Sequence, residues 1–146
     1  MSFLSSMNIS ASGLTAQKQR LDIIAENIAN INTTRTEGAG PYQRKMVVFQ
    51  PIEKQDFKSV LSRTARDNNQ KGGVQITEVL EDTREFKSVY DPDHPDANAD
   101  GYVMMPNVDL IKETVDSMSA TRSYDANITA FNAIKMMATK ALEIGR

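Results

Sequence analysis

From Phe3 to Ile31 the apolar residues fall on a seven-residue frame. Met7, Leu14, Leu21 and Ile28 share one position, and Phe3, Ile24 and Ile31 share the other, whose remaining places are the polar Ser10 and Gln17. Ile9, Ala11, Ala16, Ile23, Ala25 and Ala29 lie beside this seam and widen the apolar face beyond what a two-stranded coiled coil covers. The spacing predicts one helix, about 43 Å long, with more than one neighbour. Gly13 costs roughly 1 kcal/mol of helix propensity, so either the helix is weak there or another backbone comes close. Asn27, Asn30 and Asn32, followed by two threonines, end the segment. Short amides at such an end bond free backbone groups, and asparagine tolerates the left-handed turn that stops a helix. Two roles stay open for Asn27 and Asn30: a local C-cap, or bonds to another subunit.

The C-terminal end repeats the theme. Pro106 precedes Asn107, a good N-cap, Asp109 in the first turn suits the helix dipole, and Gly145 supplies the stop. Ile111, Val115 and Met118, then Tyr124, Ile128, Phe131, Ala138 and Leu142, form two helical stripes joined by a phase slip near Thr121. Ala120, Ala126, Ala130, Ala133 and Ala141 allow close helix contact, while Met136 and Met137 adapt to irregular partners. Arg122 and Tyr124 sit at the slip, where they can bond the end of the N-terminal helix or a neighbour; the plainer reading is a core tyrosine beside a solvated arginine. Asn107 to Ile144 would span about 57 Å, whereas a compact chain of this length has a radius of gyration of about 15 Å. Such a helix outruns its own globule and keeps apolar surface for other copies. The competing architecture is a monomeric helical hairpin with frayed ends.

The middle changes period. Tyr42–Gln50, Val74–Leu80, Glu85–Tyr90 and Gly101–Met105 are short, rich in β-branched and aromatic residues, and separated by turn formers, which predicts strands of one small sheet. Phe57, Val60 and Leu61 suggest a short helix within Asp56–Arg66, and Asp67–Gly73 reads as a flexible connector. The expected fold class is mainly α with a small β portion. Long terminal helices over 1–32 and 107–146 pack as a coiled-coil-like pair around a β-rich region, 33–106, that carries a flexible loop at 53–73.

Composition narrows the chemistry. The chain of 146 residues has room for one ordinary domain. Its formal charge of −2, with acids and bases interspersed, offers no basic stripe for nucleic acid and no polybasic patch for a membrane. With no cysteine there is neither a disulfide framework nor a thiolate site. Lys18 is the first cationic side chain and no unbroken apolar core precedes it, so neither a cleavable secretory signal nor a membrane span is expected. The single histidine, His94, lies in the proline turn DPDHPD, and no nucleophile-elbow glycine pattern accompanies it, which weighs against a hydrolase using His94. Asp96 to Asn107 matches the first half of a calcium loop, with Asp96, Asn98, Asp100 and Gly101 in place. Its last position is Asn107 where a bidentate glutamate is needed, and Pro92 and Pro95 deny it an entering helix. An Asx-rich turn is expected instead of a metal site, and a calcium-stabilised helical binding module is the alternative.

Several stretches carry a family likeness. Ser12-Gly13-Leu14, Ala16-Gln17, Arg20-Leu21-Asp22 and Ile24 to Asn30 resemble the N-terminal signature of bacterial flagellar axial proteins, the rod and hook group. Pro41 to Phe49, Tyr90 to Asp109 and Met118 to Ile128 resemble its proximal-rod members, in the same order along the chain. The likeness is thinnest from Ile52 to Gly73, where this chain carries extra sequence, and Thr121 and Asp125 stand where serine and a longer polar residue are usual. The resemblance implies a structural subunit without catalysis or cofactor, exported uncleaved through the flagellar type III apparatus. It implies polymerisation into the torque-transmitting rod that crosses the periplasm. Its terminal helices would be disordered before assembly and pack as an inner tube afterwards. Implied partners are further copies, other rod subunits, the basal-body adaptor and the export apparatus, with neither nucleic acid nor membrane insertion. On this view subunit packing falls to Met7, Leu14, Leu21, Ile24, Asn27, Ile28, Asn30 and Ile31 in the first helix. In the last it falls to Ile111, Val115, Met118, Arg122, Tyr124, Ile128, Phe131 and Leu142.

Overall fold

The heptad-patterned segment forms helix α1, Phe3–Ala29, in a computed structural model that describes residues 3–36, 38, 40–52 and 72–144. Asn30 ends it: its Nδ2 donates to the Glu26 carbonyl at 2.9 Å, and its Oδ1 accepts from the Thr33 hydroxyl at 3.1 Å. Asn30 therefore takes the capping role. Among the described residues four strands follow, β1 Lys45–Pro51, β2 Val74–Glu81, β3 Lys87–Tyr90 and β4 Tyr102–Met105, and then α2, Leu110–Ile144. The expected helix at Asp56–Arg66, most of the connector Asp67–Gly73 and the Gly145 stop lie outside the described residues.

The strands make two sheets of two, β1 with β2 and β3 with β4, where one sheet was expected. The break falls at Asp82–Arg84. The Asp82 carboxylate takes the Arg84 backbone N–H at 3.1 Å and its guanidinium Nε at 2.8 Å, folding the chain into a turn where the ladder would otherwise continue. Bonds flanking the first pair, Asp82 N to Arg44 O at 2.8 Å and Ile52 N to Gly73 O at 3.0 Å, make it antiparallel. In the second pair Tyr90 faces Tyr102 and Val89 faces Val103. The two tyrosine rings meet edge to face at 5.2 Å.

The residues group into two compact units. One draws on Met1–Lys18, Phe49–Thr77 and Thr121–Arg146, the other on Gln19–Val48 and Glu78–Ala120. The second holds most of the core: Ile24, Tyr42, Val103, Pro106, Val108 and Ala120 are buried. Burial of Ile24 alone contributes roughly 1.5–3 kcal/mol. Here α1 and α2 run antiparallel, with Arg20 paired to Asp116 and Asn27 to Glu113. The helix N-cap is Asp109, whose carboxylate takes the Ile111 N–H at 3.0 Å, and not Asn107 as expected. Asn107 is unavailable because its amide is buried among backbone groups of the strands.

In the first unit α2 runs through Thr121 unbroken, and none of its described residues beyond Ala120 is buried. Ala16 and Ser10 are the buried positions of α1 there. Gly13 meets a side chain and not a backbone: a Cβ at this position would sit 3.1 Å from Asn127 Nδ2. Gly73 is held more tightly. Its φ is +109°, an added Cβ would approach Ser12 Oγ to 2.6 Å, and that hydroxyl is fixed by accepting from Val74 N at 3.0 Å. Gly73→Ala should therefore cost at least the 1–2 kcal/mol of a left-handed non-glycine residue, read as a lower urea midpoint, while Gly72→Ala, which meets nothing within 4 Å, should not.

Candidate functional site

Asn27 is 1 % exposed, and all four of its hydrogen-bonding positions are filled. Its Oδ1 accepts from Lys45 N and from the Tyr42 hydroxyl, each at 2.9 Å. Its Nδ2 donates to Lys45 O at 2.9 Å and to Glu113 Oε2 at 3.1 Å. The side-chain amide thus stands in for a peptide group and pairs with one residue at the start of β1. Asn107 does the same one residue earlier. It accepts from Arg44 N at 2.8 Å and donates to the carbonyls of Asp82 and Arg84 at 2.9 and 3.1 Å.

Glu113 is fully buried, so its carboxylate needs compensation inside the fold. Arg44 Nε supplies it at 2.6 Å and also faces Asp116 at 3.4 Å and Asp82 at 3.8 Å through its other nitrogens. Arg20 holds Asp116 at 3.2 Å, and Arg84 closes on Asp82. Three guanidiniums therefore balance three carboxylates. The Arg84 hydrogen bond keeps the Asp82 carboxyl below its ordinary 3.8, against the opposing effect of burial. Tyr42 is pushed up to about 12 by burial, then by the carboxylates of Glu26, Glu113 and Glu81. Lys45 Nζ lies 5.6 Å from the centre of the same ring. The polar groups of this cluster are partnered with one another, so it holds the fold together.

The residues expected to pack between subunits separate into two groups. Ile24 and Asn27 are buried within the chain, and Met7, Leu14, Leu21, Ile28, Asn30 and Ile31 are half-buried. On α2, Ile111 is 77 % exposed, Val115 60 % and Met118 53 %. With Arg122, also exposed, they recur every three or four residues and form one outward stripe. Ile128 and Leu142 are exposed too, while Tyr124 and Phe131 are half-buried. A shallow groove of about 310 Å³ lined by Arg44, Arg84, Ile111, Lys112, Val115 and Asp116 joins this stripe to the charged cluster. Sequence reasoning missed Arg44, Tyr42, Asp82 and Glu113. The available signal was Glu113 in line with Ala120 and Asn127 at seven-residue steps, a lone charge on the face opposite Ile111 and Val115.

The calcium-like loop is occupied by its own chain. Asn98 Oδ1 accepts from Asp100 N at 3.1 Å and Tyr102 N at 2.9 Å, and Asp96 accepts from the Thr34 hydroxyl at 2.7 Å. His94 Nδ1 accepts from Asp96 N at 3.1 Å, a turn contact.

Asn27→Asp keeps size and shape but removes both donors and sets a second carboxylate against Glu113. It should destabilise the fold by about 3–5 kcal/mol, the cost of a stranded buried charge, measured by urea unfolding. Two pH limits follow. Asp82 is depressed, so its contribution is present above its unfolded value of about 3.9 and is lost as pH falls through the lower folded value. Tyr42 is raised, so its contribution is present below about 10 and is lost as pH rises toward about 12. Ultraviolet titration should show Tyr42 phenolate forming only near pH 12, and Asn27→Ala should bring that step down.

Comparison with known proteins matches the same segments. The family described as flagella basal body rod protein matches residues 7–35, and the flagellar basal body rod FlgEFG protein C-terminal family matches residues 99–144. The flagellar basal-body rod protein FlgC of Bacillus subtilis (strain 168) is 49 % identical over the whole of both chains. That of Borreliella burgdorferi is 41 % identical over 99 % of this chain and 98 % of its own. The Escherichia coli O157:H7 protein is 40 % identical over all of both. End-to-end identity at this level shows that the chain belongs to the FlgC family of flagellar basal-body rod proteins.

Proposed function

We propose that the chain is a structural subunit of the proximal rod, polymerising through its terminal helices into the shaft that crosses the periplasm and transmits torque. The observation that carries this reading is the full-length identity to basal-body rod proteins from three distant bacteria. The outward stripe of α2 supports it, because contiguous exposed apolar surface marks an interaction site. The chain is a structural protein and not an enzyme. Its partners on this reading are further copies, other rod subunits, the basal-body adaptor and the export apparatus that passes it uncleaved.

Deleting the gene should stop the basal body at a rodless stage, seen by electron microscopy of purified basal bodies. Val115→Asp separates folding from assembly. At 60 % exposure the change should leave the free chain's stability within about 0.5 kcal/mol. A charge buried against a neighbour costs several kcal/mol, so motility should be lost. A variant that swims like its parent would remove this stripe from the subunit contact.

A further inference from the structure

We infer that Asn27 and Glu113 set the register of α1 against α2, and so fix the axial position at which each subunit presents the outward stripe of α2. The consequence for assembly rests on the rod reading; the register itself is a property of the folded chain.

Sliding is the failure that an antiparallel helix pair of this composition invites. α1 repeats its apolar frame every seven residues, and among the described residues of α2 the one buried apolar side chain is the methyl of Ala120. Methyl groups are interchangeable, so displacement by one turn, about 5.4 Å, replaces one small contact by another. The buried polar pair does not repeat. A one-turn slip would place the Glu113 carboxylate against Ile23 or Ile31, the residues four positions either side of Asn27. It would also part Glu113 from an amide that is itself fixed to β1.

The fixing is over-determined. Asn27 grips Lys45 by both backbone groups, and Arg44, the preceding residue, is gripped by Asn107, three residues before α2 begins. Arg44 then reaches Glu113, so the path through β1 and the direct amide–carboxylate bond impose the same alignment. Arg20 to Asp116 adds a tie farther along both helices. With the alignment fixed, the outward residues Ile111, Val115 and Met118 stand at one height against α1 in every copy, the identity of surfaces that a regular polymer requires.

The chain has no cysteine, so spin labels can be placed at Gln19→Cys and Leu110→Cys without background. The parent full-length chain should give one narrow distance. Asn27→Leu with Glu113→Leu removes the pair without stranding a charge. Helix content should persist by circular dichroism, and a second distance population should appear, the helices displaced by about 5 Å along their axes. Ile24→Ala, an apolar loss on the same helix, should lower the melting midpoint and keep the single distance. Should the double variant not fold, Asn27→Ser, which leaves Glu113 its Arg44 partner, is read in the same way. A broad parent distribution, a single parent-like distance in the folded variants, or loss of helix in both variants would overturn the inference. All of this is read in the free chain, so its failure is distinct from failure of the rod reading, which electron microscopy of basal bodies from the gene deletion decides.

Discussion

A carboxylate with no access to water sets the terms for the second unit. Glu113 sits on α2 with its side chain wholly buried, and an ionised group there persists only with a cation and hydrogen bonds supplied by the protein. Arg44 supplies the cation from the position just before β1, and Asn27 the bond from α1. Arg44 carries its own demand, because its backbone N–H faces inward and takes the Asn107 carboxamide. One buried charge thereby ties two helices and two strands. It also explains amides rather than acids at 27 and 107: each must donate and accept at once, and aspartate cannot donate.

The distribution of polarity follows. Among the fully buried side chains are Glu113 and Asn27, while Ile111, Val115, Met136 and Leu142 are more than half exposed. A monomer evolved for solution places these groups the other way round. Apolar contact is non-directional and scales with area, which suits surfaces that meet other subunits. Paired hydrogen bonds are directional and expensive to leave unmade, which suits the interior that fixes one alignment. The inside of this chain is specified by hydrogen bonds, and its affinity is left on the outside.

Legibility in the sequence tracks the range of the interaction. The helices and strands among the described residues were readable, because period, turn residues and β-branching are local. β1 and β3 begin two or three residues later than their patterns suggest, since Arg44 and the Asp82–Arg84 turn serve side-chain contacts first. Asn107 had the residue type of a helix cap and lost that role to Asp109 because long-range partners claimed its amide. The bonds from Arg20, Asn27 and Arg44 to Glu113 and Asp116 span 69 to 96 positions, and no local period encodes such pairs. Periodicity likewise identified the Ile111–Val115–Met118 face without saying whether this chain covers it.

The ends of β1 and β2 show the same separation of local and distant. The hairpin is closed from Ile52 N to Gly73 O, and Ser12 on α1 takes the next N–H, at Val74. Both contacts lie at the strand ends, so they are indifferent to the length of chain joining them. Closure entropy grows only as the logarithm of loop length, about 0.6 kcal/mol for each doubling. The clamps on Arg44 and Lys45 stand at the opposite end of β1 and hold the ladder in alignment from there. Neither set of contacts depends on the length of chain between Ile52 and Gly73, so the alignment of the ladder is set by the residues on either side of it.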